Sequence, residues 1–164
     1  MLYLISDTHF YHKNIIKYCN RPFKSVEQMN KKMIDNWNKI VTDDDIILHL
    51  GDFALASEDK IQELLSQLNG YKVLVRGNHD KSIGTMKRLG FNEVFDGPLE
   101  INGYVFSHYP IYAAGYFTVN ISVDNFCFSP VPLQIIRNII YCGHCHDKWI
   151  ARYTYEDEKI CSVW

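Results

Sequence analysis

The chain has 164 residues, which is the length of one domain. Apolar residues make up 47% of it and charged residues 22%, which excludes a disordered, collagen-like or coiled-coil chain, and no apolar run is long enough to span a bilayer. The net charge of -2 excludes a strong basic surface for nucleic acid, although a nucleotide held at one focused site stays open.

The N-terminal half alternates predicted strands and helices. Three short apolar runs lack polar alternation, which is typical of strands buried on both faces of a parallel sheet; they are 2–6, 46–50 and 72–75. Apolar residues at helical spacing predict helices from Ser25 to Val41 and from Ser57 to Asn69, lying between those strands. This order implies right-handed crossovers over a mostly parallel sheet.

The C-terminal half has a different pattern. Asn102-Gly103 lies between two apolar runs and predicts a two-residue hairpin. A short helix over 131–138, a strand over 139–142 and a closing hairpin over 149–164 are predicted after it. The whole chain is therefore predicted to form a single layered α/β domain, 1–164, whose later strands are more antiparallel.

A polar cluster follows five of the predicted strands. The clusters are Asp7-Thr8-His9, Gly51-Asp52, Gly77-Asn78-His79-Asp80, Ser107-His108 and Gly143-His144-Cys145-His146. Ligands of open α/β sheets bind outside the carboxyl ends of the strands, so these clusters are expected to converge. Each cluster alone is most often a turn or a surface histidine, and the prediction depends on their combination.

The residue types in these clusters suit divalent metal ions. In an extended segment residues i and i+2 point the same way, so Asp7 and His9 are predicted to reach one ion together, as are His144 and His146. Carboxylate and imidazole ligands favour Mn, Fe, Zn or Ni. Glycines beside them let the backbone turn sharply. Eight potential ligands are too many for one ion and fit two ions that share a carboxylate.

The five motifs resemble the signature of the calcineurin-like metallophosphoesterases, from residue 7 to residue 146. The segments 7–14 and 20–23 look most like small, stand-alone bacterial and phage members. The resemblance implies a layered αββα-type fold with mixed sheets and a metal site at the carboxyl ends of the strands. It also implies a metal-dependent hydrolase that cleaves a phosphomonoester or a phosphodiester, with nucleotides among the candidate substrates. Asp52 continues as Phe53-Ala54, without the Asp-Arg-Gly extension of protein phosphatases, which argues against a phosphoprotein substrate.

The resemblance also implies a role for each motif residue. The first metal would be held by Asp7, His9 and His146, the second by Asn78, His108 and His144, and both by Asp52. A hydroxide bridging the two ions would attack phosphorus in line, with Mn as the expected metal and Fe, Zn or Ni as alternatives. His79 would protonate the leaving oxygen, and Asp80 would orient His79.

Residues near the first motif are predicted to face the substrate. His12 and Asn14 either line the substrate side or cap a helical turn that begins near Lys13. Arg21 either binds a phosphate as a fork-shaped donor or forms a surface ion pair. His49 lies inside an apolar strand and is predicted to be a buried histidine with its hydrogen bonds satisfied.

Alternative functions arise from Cys142-Gly143-His144-Cys145-His146. This segment matches a haem attachment pattern and a thiol–disulfide motif, and it could also hold a structural zinc, but none of these explains the other four clusters. A catalytically silent metal- or phosphate-binding protein of the same fold is a further alternative. The N-terminus lacks a basic leader, and the five cysteines, an odd number, are expected to be reduced thiols. A cytoplasmic location without membrane contact is therefore expected. The expected partner is a small phosphorylated substrate, and the sequence indicates no oligomeric state.

Overall fold

The computed structural model describes residues 1–101 and 104–109, together with the backbone of five strands farther along the chain. The helices are α1 (Ile15–Tyr18), α2 (Val26–Ile40), α3 (Glu58–Gln67) and α4 (Ile83–Leu89). The strands are β1 (Leu2–Ile5), β2 (Ile46–His49), β3 (Tyr71–Val75), β4 (Glu93–Phe95), β5 (Leu99–Ile101), β6 (Tyr104–Ser107), β7 (Ile121–Val123), β8 (Phe126–Phe128), β9 (Ile140–Cys142), β10 (Ala151–Tyr153) and β11 (Lys159–Ser162). Among the described residues, no helix has the length and apolar character needed to cross a membrane.

The first sheet consists of four parallel strands in the order β1-β2-β3-β4. The three strands predicted from apolar runs are confirmed, and His49 is in register with Ile5 on one side and Leu74 on the other. Strand β4 was not predicted, because three residues are too few to show a hydrophobic pattern. The carboxyl ends of the first three strands therefore lie side by side.

The second sheet is mixed, with the order β10-β11-β9-β6-β5. The hairpin of β5 and β6 and the closing pair of β10 and β11 are antiparallel, as predicted, whereas β9 is parallel to both of its neighbours. Ser107 pairs with Cys142, so β6 and β9 end at the same edge of the sheet. A separate antiparallel pair, β7 and β8, was not predicted. The helix predicted over 131–138 lies outside the described residues.

Serine side chains cap the N-terminal ends of α2 and α4. The Ser25 hydroxyl accepts a hydrogen bond from the Gln28 N–H at 3.2 Å, and the Gln28 side chain in turn accepts from the Lys24 N–H at 2.8 Å. Helix α4 starts at Ser82, whose hydroxyl accepts from the Thr85 N–H, and ends at Gly90 with φ 129°. Helix α1 lies where a helical turn near Lys13 was considered, whereas α4 was not predicted because seven residues are too short for a clear helical periodicity.

Two apolar cores lie on opposite faces of the parallel sheet. Successive strand residues point to opposite faces, so Ile47 packs under the helices while Leu48 packs against the second sheet. The helix side of the sheet is filled by Trp37, Ile61, Leu64, Leu65, Met86 and Leu89, and the other side by Val73, Val75, Phe95, Leu99, Ile101 and Phe106. The described part is therefore a helix–sheet–sheet arrangement, consistent with the expected layered α/β fold.

Candidate metal centre and active site

The loop after β1 carries Asp7 and His9 in an unusual backbone conformation. Both residues have positive φ, 51° and 49°, so the extended segment assumed from the sequence is wrong. Their side chains nevertheless lie close together, with His9 Nε2 3.8 Å from Asp7 Oδ1. The main chain of this loop pairs with that of residues 51–53. Asp7 N donates to Gly51 O and His9 N to Asp52 O, each at 3.0 Å. The left-handed conformation costs roughly 1–2 kcal/mol per residue, and these bonds help to offset it.

Asp52 is the central carboxylate of the site. It is buried, and its Oδ2 lies 3.6 Å from His9 Nε2, 3.6 Å from His108 Nε2 and 3.9 Å from His79 Nε2. Its Oδ1 accepts the main-chain N–H of His79 at 2.9 Å. One carboxylate therefore faces imidazoles from three separate loops.

Two glycines allow these loops to approach one another. A Cβ on Gly51 would lie 2.5 Å from Gly77 N and 2.6 Å from His108 Nδ1, and the φ of Gly51 is 91°. A Cβ on Gly77 would collide with the Asp52 carboxylate. The sharp turns predicted beside the metal ligands thus depend on the lack of a Cβ in glycine as well as on its backbone freedom.

The donor set of the buried cluster fits a divalent cation. Ligand atoms of Asp7, Asp52 and His108 all lie within 4.8 Å of one another, and all three residues are buried. His108 Nδ1 lies 2.8 Å from Leu50 O, and a carbonyl only accepts, so the proton of the neutral ring is on Nδ1. The lone pair of His108 Nε2 therefore faces Asp52 Oδ2 at 3.6 Å and Asn78 Oδ1 at 3.3 Å. The imidazole lone pair and the two buried carboxylates therefore form a donor set that suits a divalent metal ion.

Asn78 and His79 form the exposed rim of this cluster. The His79 ring centroid is 5.5 Å from that of His9 and 6.2 Å from that of His12, and the His9 and His12 rings are 5.4 Å apart. His79 is exposed while Asp52 beside it is buried. An imidazole at the border between solvent and a buried carboxylate can exchange a proton with a substrate and then with water.

Asp80 connects two loops of the site. Its carboxylate accepts the N–H groups of Asp52 at 2.8 Å, Phe53 at 2.9 Å and Gly77 at 2.8 Å. Burial raises the pKa of Asp80, and these three donors oppose that rise. The sequence did not indicate these contacts, and the predicted orienting effect of Asp80 on His79 stays a prediction.

His49 is a buried residue with satisfied hydrogen bonds, as predicted. The Gly51 N–H donates to His49 Nδ1 at 3.1 Å, so the proton of the neutral ring is on Nε2, which lies 3.0 Å from Thr8 Oγ1. The Thr8 hydroxyl donates in turn to Phe53 O at 2.8 Å. Burial, followed by the nearby charge of His108, lowers the pKa of His49 to about 3. The ring therefore stays neutral in the folded protein at ordinary pH.

The predicted substrate-side residues lie in different surroundings. His12 belongs to the group of histidine rings, and its ring centroid is 6.1 Å from that of Tyr18, which is exposed. Asn14 is exposed at the start of α1, where its side chain makes no capping hydrogen bond. Arg21 donates to the main-chain oxygens of Asp7 and Thr8, both at 2.7 Å, a contact that the sequence did not indicate. The predicted roles of all three residues toward a substrate stay predictions.

The last predicted ligands, His144 and His146, lie outside the described residues. Of the Cys-Gly-His-Cys segment, only the backbone of Cys142 is described, so the alternative functions of that segment are not tested. Among the described strands, β9 leads toward these residues. It ends beside β6, the strand that leads to His108. Their assignment as metal ligands stays a prediction.

Comparisons with known proteins agree with this arrangement. The family model described as calcineurin-like phosphoesterase matches residues 2–161. The uncharacterized protein MJ1445 of Methanocaldococcus jannaschii is 41% identical, over 87% of this chain and 92% of its own length. A protein of unknown function from Aquifex aeolicus, AQ665, is 32% identical and superposes with a TM-score of 0.61, covering 88% of this chain and 78% of its own. The Pseudomonas putida nuclease MPE, at 16% identity, shares the fold with a TM-score of 0.55 over 98% of this chain and 72% of its own. The match over nearly the whole sequence, together with the buried Asp and His cluster, shows that the chain belongs to the calcineurin-like phosphoesterase family.

Proposed function

We propose that this protein is a metal-dependent hydrolase that cleaves a phosphomonoester or phosphodiester bond of a small substrate, with nucleotides as the leading candidates. The observation that carries the proposal is the position of Asp52, whose Oδ2 lies within 3.9 Å of a nitrogen atom of His9, His79 and His108. A buried carboxylate facing several imidazoles is a metal-binding arrangement, and the family match gives the reaction class.

Two divalent ions are proposed, with Mn as the expected metal. Asp7 and His9 would hold one ion, Asn78 and His108 the other, and Asp52 both, with His144 and His146 completing the two sets. When bound, the ions supply a hydroxide nucleophile at neutral pH and positive charge beside the phosphoryl oxygens. Two dications against the carboxylates of Asp7 and Asp52 leave a net positive charge, which attracts an anionic phosphate.

His79 is the proposed proton donor to the leaving oxygen. Its exposed ring lies next to the buried cluster, and its main-chain N–H is fixed by Asp52 Oδ1 at 2.9 Å. This bond holds the residue at the rim, where a leaving group would depart toward solvent. His12, whose ring centroid is 6.2 Å from that of His79, is proposed to contact the phosphate.

Tyr109 supports a substrate with an aromatic group. Its exposed ring packs edge-on against His108 with a centroid separation of 4.7 Å, and its hydroxyl is 3.4 Å from Asn78 Oδ1. An exposed ring beside the metal cluster offers a surface on which a base can stack. One structural relative is named a nuclease, so nucleic-acid ends belong among the substrates to be tested.

The proposal is tested by assaying the Mn²⁺-loaded protein on p-nitrophenyl phosphate, bis-p-nitrophenyl phosphate and a panel of nucleotides and oligonucleotides. We expect turnover that requires metal and is lost in Asp52→Asn. Asp43→Asn is the matched control, because Asp43 is exposed near the opposite end of β2 and should leave activity unchanged. No turnover on any substrate, with metal demonstrably bound, would refute the proposal in favour of a silent binding protein.

A further inference from the structure

The guanidinium of Arg21 makes two hydrogen bonds to the main chain of residues 7–9, called here the metal-binding loop. Its Nη2 donates to Asp7 O and its Nη1 to Thr8 O, both at 2.7 Å. The two carbonyls belong to adjacent residues, and the planar guanidinium matches that spacing with two parallel donors. The residue is only partly exposed, as expected for a side chain engaged with the protein.

The two carbonyls lie in the strained part of the loop. Asp7 and His9 both have left-handed backbone conformations, and Thr8 lies between them. The pairing with residues 51–53 uses the N–H groups of Asp7 and His9 as donors, and Arg21 donates to the carbonyls of Asp7 and Thr8. Buried carbonyls need donors, and Arg21 supplies two charge-assisted ones at this point.

Arg21 is itself held in place by its surroundings. Its main-chain N–H donates to Ile16 O at 2.9 Å, and its carbonyl accepts from Phe23 N at 2.8 Å. Its Nη1 lies 3.5 Å from the sulfur of Met29 and 4.0 Å from that of Met33, both on α2. Burial lowers the pKa of Arg21, while the charges of Cys19 and Asp7 oppose this change, and an arginine so placed stays protonated. Arg21 thus contacts α1 through its main chain, and its guanidinium links α2 to the loop that carries Asp7 and His9.

We propose that Arg21 is a positioning residue that holds Asp7 and His9 in their metal-binding conformation, and that it determines metal affinity before any substrate binds. This inference rests on the proposed function, since it assumes that Asp7 and His9 hold a metal ion. It replaces the prediction that Arg21 binds a substrate phosphate. The guanidinium of Arg21 donates to the main chain of the loop. This contact helps to hold Asp7 and His9 in their left-handed backbone conformation.

The test separates metal binding from substrate binding. The Mn²⁺ affinity of the metal-free protein is measured by calorimetry for wild type, Arg21→Lys, Arg21→Met and Arg21→Ala, and kcat and KM are measured at saturating Mn²⁺. We expect Arg21→Met and Arg21→Ala to weaken Mn²⁺ binding by about 10- to 100-fold, which is typical of losing a group that orients metal ligands. KM should change by less than about twofold, because the ligands regain their positions once metal saturates the site. Arg21→Lys keeps one donor and should lose less affinity.

Chemical rescue identifies the guanidinium as the group responsible. Methylguanidinium at millimolar concentration should restore part of the Mn²⁺ affinity of Arg21→Ala and none of that of Arg21→Met, whose side chain fills the space. The control is Arg88→Ala, because Arg88 is an exposed arginine paired with Glu58 at 2.7 Å and should leave Mn²⁺ affinity and kinetics unchanged.

Each contrary result has one meaning. A raised KM with unchanged Mn²⁺ affinity would overturn the inference and make Arg21 a substrate ligand. Unchanged affinity and kinetics would overturn it as well. A wild-type protein that binds none of Mn²⁺, Fe²⁺, Zn²⁺ and Ni²⁺ would instead refute the proposed function, and the inference with it. Arg21→Lys provides a folded variant if the larger changes destabilise the protein.

Discussion

His49 Nε2 lies 3.0 Å from the hydroxyl of Thr8, and this contact joins the loop that carries Asp7 and His9 to the strand that leads into Asp52. The Gly51 N–H fixes the other ring nitrogen as an acceptor, so His49 serves as a neutral link between two loops. Its side chain is fully buried, and its two ring nitrogens contact Thr8 and Gly51, which are not proposed ligands. Its contribution is therefore to hold the site together.

We predict that His49→Leu destabilises the metal-free protein by about 2 kcal/mol at neutral pH. The change leaves the Gly51 N–H buried without its acceptor, which costs roughly 1–3 kcal/mol, while the Thr8 hydroxyl keeps its hydrogen bond to Phe53 O. His49→Gln should cost less, because an amide can keep one of the two bonds. Urea unfolding gives the free energies, and a His49→Leu variant as stable as wild type would contradict this reading.

The same residue should make the protein sensitive to acid. The pKa of His49 is lowered to about 3 in the folded protein, while in the unfolded chain it has its ordinary value of 6.5. The unfolded state therefore takes up a proton first, and the stability linked to His49 is complete above about pH 6.5 and is lost as the pH falls toward 3. We expect the stability of wild type to approach that of His49→Gln between pH 7 and 4. Parallel curves for the two proteins over this range would show that His49 does not titrate as described.

Gly51 and Gly84 make a matched pair for testing how tightly the loops are packed. Gly51→Ala would bring a Cβ within 2.6 Å of His108 Nδ1 at a positive φ, whereas a Cβ on Gly84 meets nothing within 4 Å. We expect Gly51→Ala to lose at least about 2 kcal/mol of stability together with Mn²⁺ binding. Gly84→Ala, in an exposed turn of α4, should be neutral or gain about 0.5 kcal/mol. Calorimetry and urea unfolding check both, and a tolerated Gly51→Ala would mean that the loops can separate.

The sequence predicts those features of the site that depend on strand position. Strands β1, β2 and β3 are continuous apolar runs, and a parallel sheet brings their carboxyl ends together, so the proximity of Asp7, Asp52 and Asn78 follows from topology. His108 joins them because β6 ends near the same edge. Identifying the strands is enough to predict that these residues lie close together.

Other features depend on contacts that leave no sequence pattern. The left-handed conformation of Asp7 and His9 comes from pairing with a distant loop, which overrides the usual preference of non-glycine residues. Arg21 and Asp80 both bind main-chain groups, and main-chain partners have no residue type that a sequence could reveal. The convergence of Asp7, Asp52 and His108 was therefore predictable from the sequence, whereas the contacts that side chains make with the main chain were not.

Asp45, at the opposite end of β2 from Asp52, should stabilise the fold in a pH-dependent way. Hydrogen bonds from the N-terminal ammonium and from the N–H and hydroxyl of Thr42 lower the pKa of Asp45 to about 2. Because the folded pKa lies below the unfolded value of 3.8, the stability that Asp45 provides is complete above about pH 4 and is lost as the pH falls to 2. Asp45→Asn should be less stable than wild type at pH 6, and the difference in urea midpoint should shrink below pH 4. A difference that is constant with pH would exclude this ionisation as its cause.

The role of His79 can be tested by the chemistry of the leaving group. If the exposed imidazole protonates the leaving oxygen, His79→Ala should lower kcat on phenyl phosphate by about 10²- to 10⁴-fold. Its effect on p-nitrophenyl phosphate should be much smaller, because p-nitrophenolate leaves readily without a proton. Mn²⁺ affinity should stay unchanged, since His79 is not among the proposed ligands.

His12→Ala is the matched control, because the ring of His12 lies 5.4 Å from that of His9 and is proposed to contact the phosphate. The effect of His12→Ala should therefore not depend on the leaving group. Equal losses of His79→Ala on both esters would assign the ring to phosphate binding, because a bound oxygen outside the breaking bond is stabilised to the same extent for every leaving group.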